Sequence, residues 1–522
     1  MRWIDGVNAM SPGTSAFGRL EKPPHQRGHQ RAYLPSPYCE LQLLGASGYL
    51  EGNSIRVASF VKIPGQSETS IKAVSSRKDS AADNAYVIAV PAPVYRLSDS
   101  AFAIEDAFSH HLRELKSRLG EHAGKVIVVA PELSRSDFDN NPSLGIITAD
   151  EGIEAVPTYP ASASTKEFWF RHVPKLWRVL DRTIRRAVVV HTGPAHDTWR
   201  PMLLLVNFIA WRYGRRALFV VDIDFRRNTE RLRQLGMWSR KTYLINRLLH
   251  DPLRWAQVWL AVRLSKLVLL KGPKLVRDFG RGRASVKNVL DTAHSLEQVL
   301  SDEELNQRLS WIDDETRPLN LVYFGRLVQY KGMDRAIEAI RLARSRGNDI
   351  RLTIIGSGPE AQSLHRQAEE AGLSRAVTFL PAVKYGEPLF RLLFNFHASI
   401  ACPLLEDTPR SAFDSMARGL PIVAFNLDYF NDLAEMSGAV KTTAWPSAEN
   451  LAEAFVALDE NRSDLKRQVR QAVDFARANT QQIWMERRQA WLMEYVLDVP
   501  ARSANHDEDE TPKGNRLYAF SQ

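Results

Sequence analysis

Cysteine is almost absent, with only Cys39 and Cys402 among 522 residues. So few thiols exclude a disulfide scaffold or a cysteine-built zinc site and fit a reducing cytoplasm. Cys402 is expected to pack as a small apolar residue. Long apolar runs are missing as well. The longest candidate, 202–211, contains Asn207 and is about half the ~20 residues that a membrane-spanning helix needs. Residues 1–35 are rich in Pro, Gly, Ser and Arg and hold no apolar core of the signal-peptide kind, so they read as a flexible tail and the protein is expected to stay inside the cell. Nor does one sign of charge dominate: 69 Lys and Arg against 60 Asp and Glu leave a net +9. That excess permits nucleic acid, an anionic membrane surface or phosphorylated ligands as partners without choosing among them. With no helix-turn-helix, zinc or RNA-recognition pattern beside it, no nucleic-acid partner is expected.

What is present is the composition of a soluble globular chain, 44% apolar and 25% charged, long enough for two to four domains. Short apolar runs at 41–44, 55–61, 86–90, 126–130, 187–190, 217–221, 267–270 and 286–290 alternate with stretches of helical period such as 103–119 and 166–186. Alternation of this kind predicts an α/β domain with a largely parallel sheet over 36–300. Two polar insertions, 64–84 and 134–164, read as loops, and 229–264 reads as a long helical insertion. A polar linker, 301–318, leads to a second βα series over 319–479. Its strands are expected at 319–324, 351–355, 377–380, 399–403 and 422–425, with helices at 333–345 and 360–371. A helix at 480–500 and an acidic, disordered tail at 501–522 close the chain.

The stretch 402–425, CPLLEDTPRSAFDSMARGLPIVAF, carries the densest chemistry. Thr408 is placed to cap a helix over 409–418, Pro409 to open it, and Gly419 with Pro421 to end it. Glu406 then lies on the loop before the helix and Asp414 in its early half, so that both carboxylates can face one cleft at the open end of a sheet. As isolated residues they are equally consistent with an exposed loop Glu and an Asp in an ordinary βαβ unit. Gly325-Arg326 and Lys331-Gly332 end the first strand of the second series, where an Arg and a Lys five residues apart suit a diphosphate. Gly356-Ser357-Gly358 is too short for a dinucleotide fingerprint and reads as a tight turn lining the cleft. In the first half, His191 ends an apolar strand and Asp222-Ile223-Asp224 ends the next. Two carboxylates there are able to ligate a divalent ion.

Taken together and in order, Gly325-Arg326, Lys331-Gly332, the 354–359 turn, 377–381, Glu406 and Asp414 resemble the signature of family-four retaining glycosyltransferases of the GT-B fold, apart from Asp at 414 where Glu is usual. The resemblance implies two Rossmann-like domains facing a central cleft and a C-terminal helix that crosses back onto the first. It implies a hexosyltransferase that needs no metal or cofactor and takes a nucleotide-diphosphate sugar as donor. Glu406 would contact the sugar, Asp414 the ribose, Arg326 and Lys331 the diphosphate, and the loop from Pro381 the base, with Gly325, Gly356 and Thr408 completing the donor side. His191 would reach the donor sugar, and Asp222, Asp224 and Asp291 would line the acceptor side rather than hold a metal. A carbohydrate or lipid-linked acceptor, retained configuration and a role in polysaccharide or glycolipid synthesis follow by the same resemblance. The rival reading is a non-catalytic nucleotide-sugar-binding or scaffold protein of the same fold. Segment 166–186 interleaves Phe168, Trp169, Phe170 and Trp177 with Arg171, Lys175, Arg178, Arg182, Arg185 and Arg186. It reads as a packed amphipathic helix, its stripe formed by Val173, Leu176, Trp177, Leu180 and Ile184, or as a surface for peripheral contact with the inner membrane face.

Overall fold

A computed structural model describes residues 84–139, 144–195, 197–314 and 317–498. The expected strands at 41–44 and 55–61, the tails at 1–35 and 501–522, the first insertion up to residue 83 and Cys39 lie outside them. Two parallel sheets carry the described chain. In the first, the strands lie side by side as Val286–Asn288, Leu267–Leu270, Arg216–Val221, Ala187–Thr192, Ala85–Ala89, Lys125–Glu132 and Ile153–Pro160. Every pairing is parallel, and the chain order reverses between Ala85–Ala89 and Ala187–Thr192, where Ile88 lies opposite His191. The second sheet runs Val377–Leu380, Ile350–Ile355, Leu319–Phe324, Ala398–Ala401, Ile422–Phe425 and Val440–Thr443, again all parallel. Its reversal falls between Leu319–Phe324 and Ala398–Ala401. Ligands of doubly wound sheets bind at such reversals, beyond the carboxyl ends of the strands.

The core explains why these segments pair. Central strands such as Leu267–Leu270 and Ile422–Phe425 are buried along their whole length, as parallel strands covered on both faces must be. The helix Met333–Ser345 buries Met333, Ala336, Ile337, Ile340 and Ala343, spaced to form one stripe. It starts at Gly332, whose φ is 68° and whose place no larger residue can take, because a Cβ there would lie 2.1 Å from the Cys402 carbonyl oxygen.

Several expectations are corrected. Segment 134–164 is no loop: Leu144–Thr148 pairs antiparallel with Ala101–Glu105, and Ile153–Pro160 is the edge strand of the first sheet. Its apolar residues alternate too irregularly to read as strands until a neighbour is supplied. The helical stretch from 103 begins with that same strand, the helix itself being Asp106–Leu119. The polar linker at 301–318 contains the helix Asp302–Ile312, opened by a Ser301 and Glu304 capping box. This helix is pinned by the fully buried Arg308, which donates to the carbonyls of Gly419 (2.9 Å), Phe394 (3.0 Å) and Phe396. In the helical run from Thr165 to Arg185, Leu176, Leu180 and Ile184 are buried. Trp177 is not part of that stripe. It stays 37% exposed and packs on Phe208, itself 53% exposed, with ring centroids 6.0 Å apart.

After the last strand of the second sheet come Ala448–Glu460 and Arg462–Arg477, and then the helix Gln481–Trp491, capped by Thr480. This last helix crosses back to the first sheet. Arg488 donates to the Leu290 carbonyl (2.9 Å) and Gln489 to that of Arg118 (3.4 Å).

Candidate active site

The loop after Leu319–Phe324 and the loop after Ala398–Ala401 face each other at the reversal of the second sheet. They bound a cleft of about 1300 Å³, its open mouth included. Backbone proximity sets the first loop: a Cβ on Gly356 would lie 1.9 Å from the Gly325 carbonyl oxygen. Gly356 therefore acts by letting two strand ends close together, while Gly325 and Arg326 line the cleft.

Three carboxylates within nine residues, Glu406, Asp407 and Asp414, are each no more than 4% exposed. Carboxylates are rarely buried without a purpose, and each here has a distinct partner. Asp407 lies 2.5 Å from the Lys331 ammonium. Burial works against that ammonium, but Asp407, with Tyr323 and Tyr330, outweighs it and holds Lys331 firmly charged. Arg326 engages Tyr330. Asp414 accepts a hydrogen bond of 3.2 Å from the Tyr385 hydroxyl. Burial nevertheless pushes its carboxyl up to about 7, against the pull of Arg410. Glu406 forms an ion pair with Arg231 of the first domain and accepts the Asp428 amide at 3.3 Å. Its own amide donates to Asn228 at 2.7 Å. Burial raises this carboxyl too, and Arg231 opposes the rise.

The expected helix over 409–418 is shorter, Ser411–Ala417, and Thr408 does not cap it. Pro409 and Arg410 form a tight lead-in turn instead, with Ala412 and Phe413 donating back to them. Thr408 lines both the cleft and a small neighbouring recess that holds Glu406, so the two carboxylates face adjoining chambers rather than a single one. Pro381 is exposed and off the cleft wall; the residue of its loop that reaches the cleft is Tyr385.

Across the cleft, the carboxyl ends of the first sheet present a chain of buried and half-buried charges. Lys271 Nζ lies 2.9 Å from Asp222 and 3.3 Å from Asp291, and Arg488 lies 3.2 Å from Asp291. Burial opposes the Asp291 charge, but Lys271 and Arg488 hold its carboxyl well below the usual range. Lys271 and Asp291 also line the cleft of the second sheet. Asp224, with Asp222, lines the recess that holds Glu406. It caps the helix Phe225–Gln234 through the Arg226 amide (3.0 Å), and its second oxygen takes the Arg226 guanidinium at 2.7 Å. Asp222 and Asp224 thus pair with different cations, Lys271 and Arg226. Among the described residues no cluster of three or more His, Cys, Asp or Glu is arranged to hold a metal. The Nδ1 atom of His191 sits 3.0 Å from the Tyr86 hydroxyl. Burial, with His111 and Arg488 adding to it, lowers its pKa to about 3. It therefore meets a ligand as a neutral hydrogen-bonding ring.

Sequence reasoning missed Tyr385, Asp407, Arg231, Lys271 and Arg488. Asp407 was signalled by its place beside Glu406. The other four belong to distant segments, and nothing local marks them.

Residues 312–473, which include every lining residue that the second domain gives to the cleft, match the family model described as "Glycosyl transferases group 1". The chain carries a group 1 glycosyltransferase domain. Relatives of the chain include a glycogen synthase of Mycobacterium tuberculosis, 24% identical over 331 residues that span 61% of this chain and 73% of the relative. The amylovoran biosynthesis glycosyltransferase AmsK of Erwinia amylovora is 27% identical over 165 residues, 30% of this chain and 39% of that one. Among solved structures, Anabaena HepE in complex with UDP superposes with a TM-score of 0.51 at 14% identity, covering 78% of this chain and 99% of that one. Sucrose-phosphate synthase from Thermosynechococcus elongatus gives 0.50 at 12% identity, over 79% of this chain and 100% of that one. With its two Rossmann-like domains, the chain has the GT-B fold.

Asp414 also makes stability depend on pH. Its carboxyl titrates near 3.8 when unfolded and at about 7 in the folded chain, so over that interval the folded protein keeps a proton that the unfolded chain releases. The stabilising contribution is complete below the lower value and is lost as pH rises through the higher one. Asp414→Asn removes this loss. The variant's Tm, measured relative to the parent, is expected to climb between pH 5 and pH 8, whereas a constant difference would contradict the assignment.

Proposed function

We propose that the protein is a retaining glycosyltransferase that moves a hexosyl group from a nucleotide-diphosphate sugar to a hydroxyl of a carbohydrate or lipid-linked acceptor. The observation that carries this reading is the convergence of Arg326, Lys331, Tyr385, Asp414 and, in the adjoining recess, Glu406 at the reversal of the second sheet. In this reading Arg326 and Lys331 take the diphosphate, Asp414 and Tyr385 the ribose, and Glu406 the sugar. The likeness to HepE, solved with UDP and with UDP-glucose, makes uridine diphosphate sugars the first donors to test.

The reaction breaks the bond between the anomeric carbon and the departing phosphate oxygen and forms one from that carbon to the acceptor oxygen on the same face. The acceptor's proton passes to the departing phosphate. Negative charge grows on the diphosphate, which is where fixed cations lower the barrier. Arg326 and Lys331 meet that need without a metal. A panel of uridine, guanosine and adenosine diphosphate sugars, run in chelator, is expected to give turnover with one base. Binding without any turnover would favour the scaffold reading. Loss of turnover in chelator that manganese restores would move the diphosphate contact to a metal.

Among the described residues no helix is long and apolar enough to cross a membrane. The first domain nonetheless exposes Trp169, Phe170 (86% exposed), Trp177, Phe208 and Leu248, with Arg171, Lys175, Arg178 and Arg182 also exposed on the same helical run as the first three. Aromatic side chains among basic ones suit an anionic lipid surface, and this supports peripheral contact with the cytoplasmic membrane face. Cosedimentation is expected with phosphatidylglycerol vesicles, to be weak with phosphatidylcholine, and to fall in Phe170→Ser. Equal recovery with both lipids would oppose it.

A further inference from the structure

Behind the charges of the first domain lies a second chamber, enclosing about 1420 Å³ with its opening included. Its floor is one face of the first sheet. Tyr86 and Ile88, Leu218 and Val220, and Leu267 and Leu269 line it, every second residue of three strands. Phe108, His111 and Leu115 close one side, spaced to share a single face of the helix Asp106–Leu119. Met485, Arg488 and Leu492, spaced in the same way, close the other from the crossover helix. A sheet face between two helices ordinarily packs to crystal-like density and leaves no such space.

The chemistry of the walls selects the occupant. A free sugar or nucleotide needs a hydrogen-bonding group opposite each of its own, and the strand floor offers hydrocarbon throughout, broken by the Tyr86 hydroxyl, which His191 already takes. Apolar walls with a few polar groups gathered at one place form the usual pattern of a small-molecule site. Here His191, Asp222, Lys271 and Asp291 gather at the carboxyl ends of the strands with Arg488 of the crossover helix beside Asp291, while Arg118 and Gln489 are further polar residues of the helical walls. Lys271 and Asp291 line the donor-side cleft as well, so the polar end of the chamber adjoins the place where a donor sugar is proposed to lie.

We infer that the acceptor is an amphiphile. Its alkyl or isoprenoid chain fills this chamber, and its hydroxyl-bearing head rests against Asp222, Lys271 and Asp291 beside the donor. This deepens the proposed function and rests on it for the transfer step, although the chamber's affinity for hydrocarbon is measurable without any donor.

Calorimetry with hexyl, octyl and decyl glucosides, each below its micelle concentration and without nucleotide, tests the inference. Affinity is expected to rise about threefold to fourfold per added methylene, the gain for burying a CH₂ group. Glucose alone is expected not to bind measurably. Leu269→Trp fills the floor and Met485→Trp, at a half-buried position of the crossover helix, fills the wall. Each is expected to abolish the dependence on chain length while nucleoside diphosphate binding stays as in the parent, which also reports that the variant is folded. Equal affinity for the three glucosides would overturn the inference, and so would a dependence that survives in both folded variants. An alkyl glucoside that binds by chain length in a protein without turnover would support the chamber and count against the transferase reading alone.

Discussion

Arg326→Ala and Lys331→Ala are each expected to lower turnover at least tenfold, because both cations meet charge that appears on the departing diphosphate. The structure separates the two variants in another respect. Lys331 is paired with Asp407, whose side chain is only 4% exposed, and removing one partner of a buried pair costs roughly 3 to 5 kcal/mol by stranding the other charge. Lys331→Ala should therefore lose stability as well as activity. Changing Asp407→Asn in the same chain removes the stranded charge and should recover much of the Tm without recovering turnover. If turnover returned with stability, Lys331 would be a structural cation and the diphosphate would be held elsewhere.

Glu406→Gln is expected to lower transfer on the order of a hundredfold, the loss of one charge-assisted contact to the sugar in a site closed to water. Arg231 and the Asp428 amide fix this carboxylate from two sides, so its direction is set before a ligand arrives. The side-chain amide that replaces the carboxylate accepts as well as donates, so the variant keeps the shape of the recess while losing the charge. Initial rates with saturating donor provide the check, and a rate within threefold of the parent would remove Glu406 from the sugar site.

Both sheets were legible in the sequence wherever strands are apolar throughout, as at 267–270 and 422–425, since full burial on two faces leaves an unbroken run. Two of the edge strands were not legible, although Val286–Asn288 and Val377–Leu380, at the opposite edges, were. Ile153–Pro160 and Val440–Thr443 carry polar residues toward solvent, and the pairing that makes them strands is not written locally. The helix Asp302–Ile312 hid in a polar stretch because Arg308, the residue that docks it, is charged and satisfies backbone carbonyls instead of filling a core. At the candidate site, Arg326, Lys331, Glu406 and Asp414 could be named because a loop and a helix start hold them at short spacing. For Asp224, spacing alone did not show that the carboxylate lining the recess also caps a helix. Arg231 and Lys271 come from the first domain and Arg488 from the crossover helix, and only the folded chain brings them to their carboxylate partners.

One calorimetric comparison tests the donor site most directly: a nucleoside diphosphate and its matching sugar nucleotide titrated into the parent, Asp414→Asn and Glu406→Gln. Asp414→Asn is expected to weaken both ligands by roughly 1 to 3 kcal/mol, because both carry the ribose. Glu406→Gln is expected to leave the bare nucleotide unchanged and to weaken only the sugar nucleotide. Identical affinities in all three proteins would contradict the placement of the donor in this cleft.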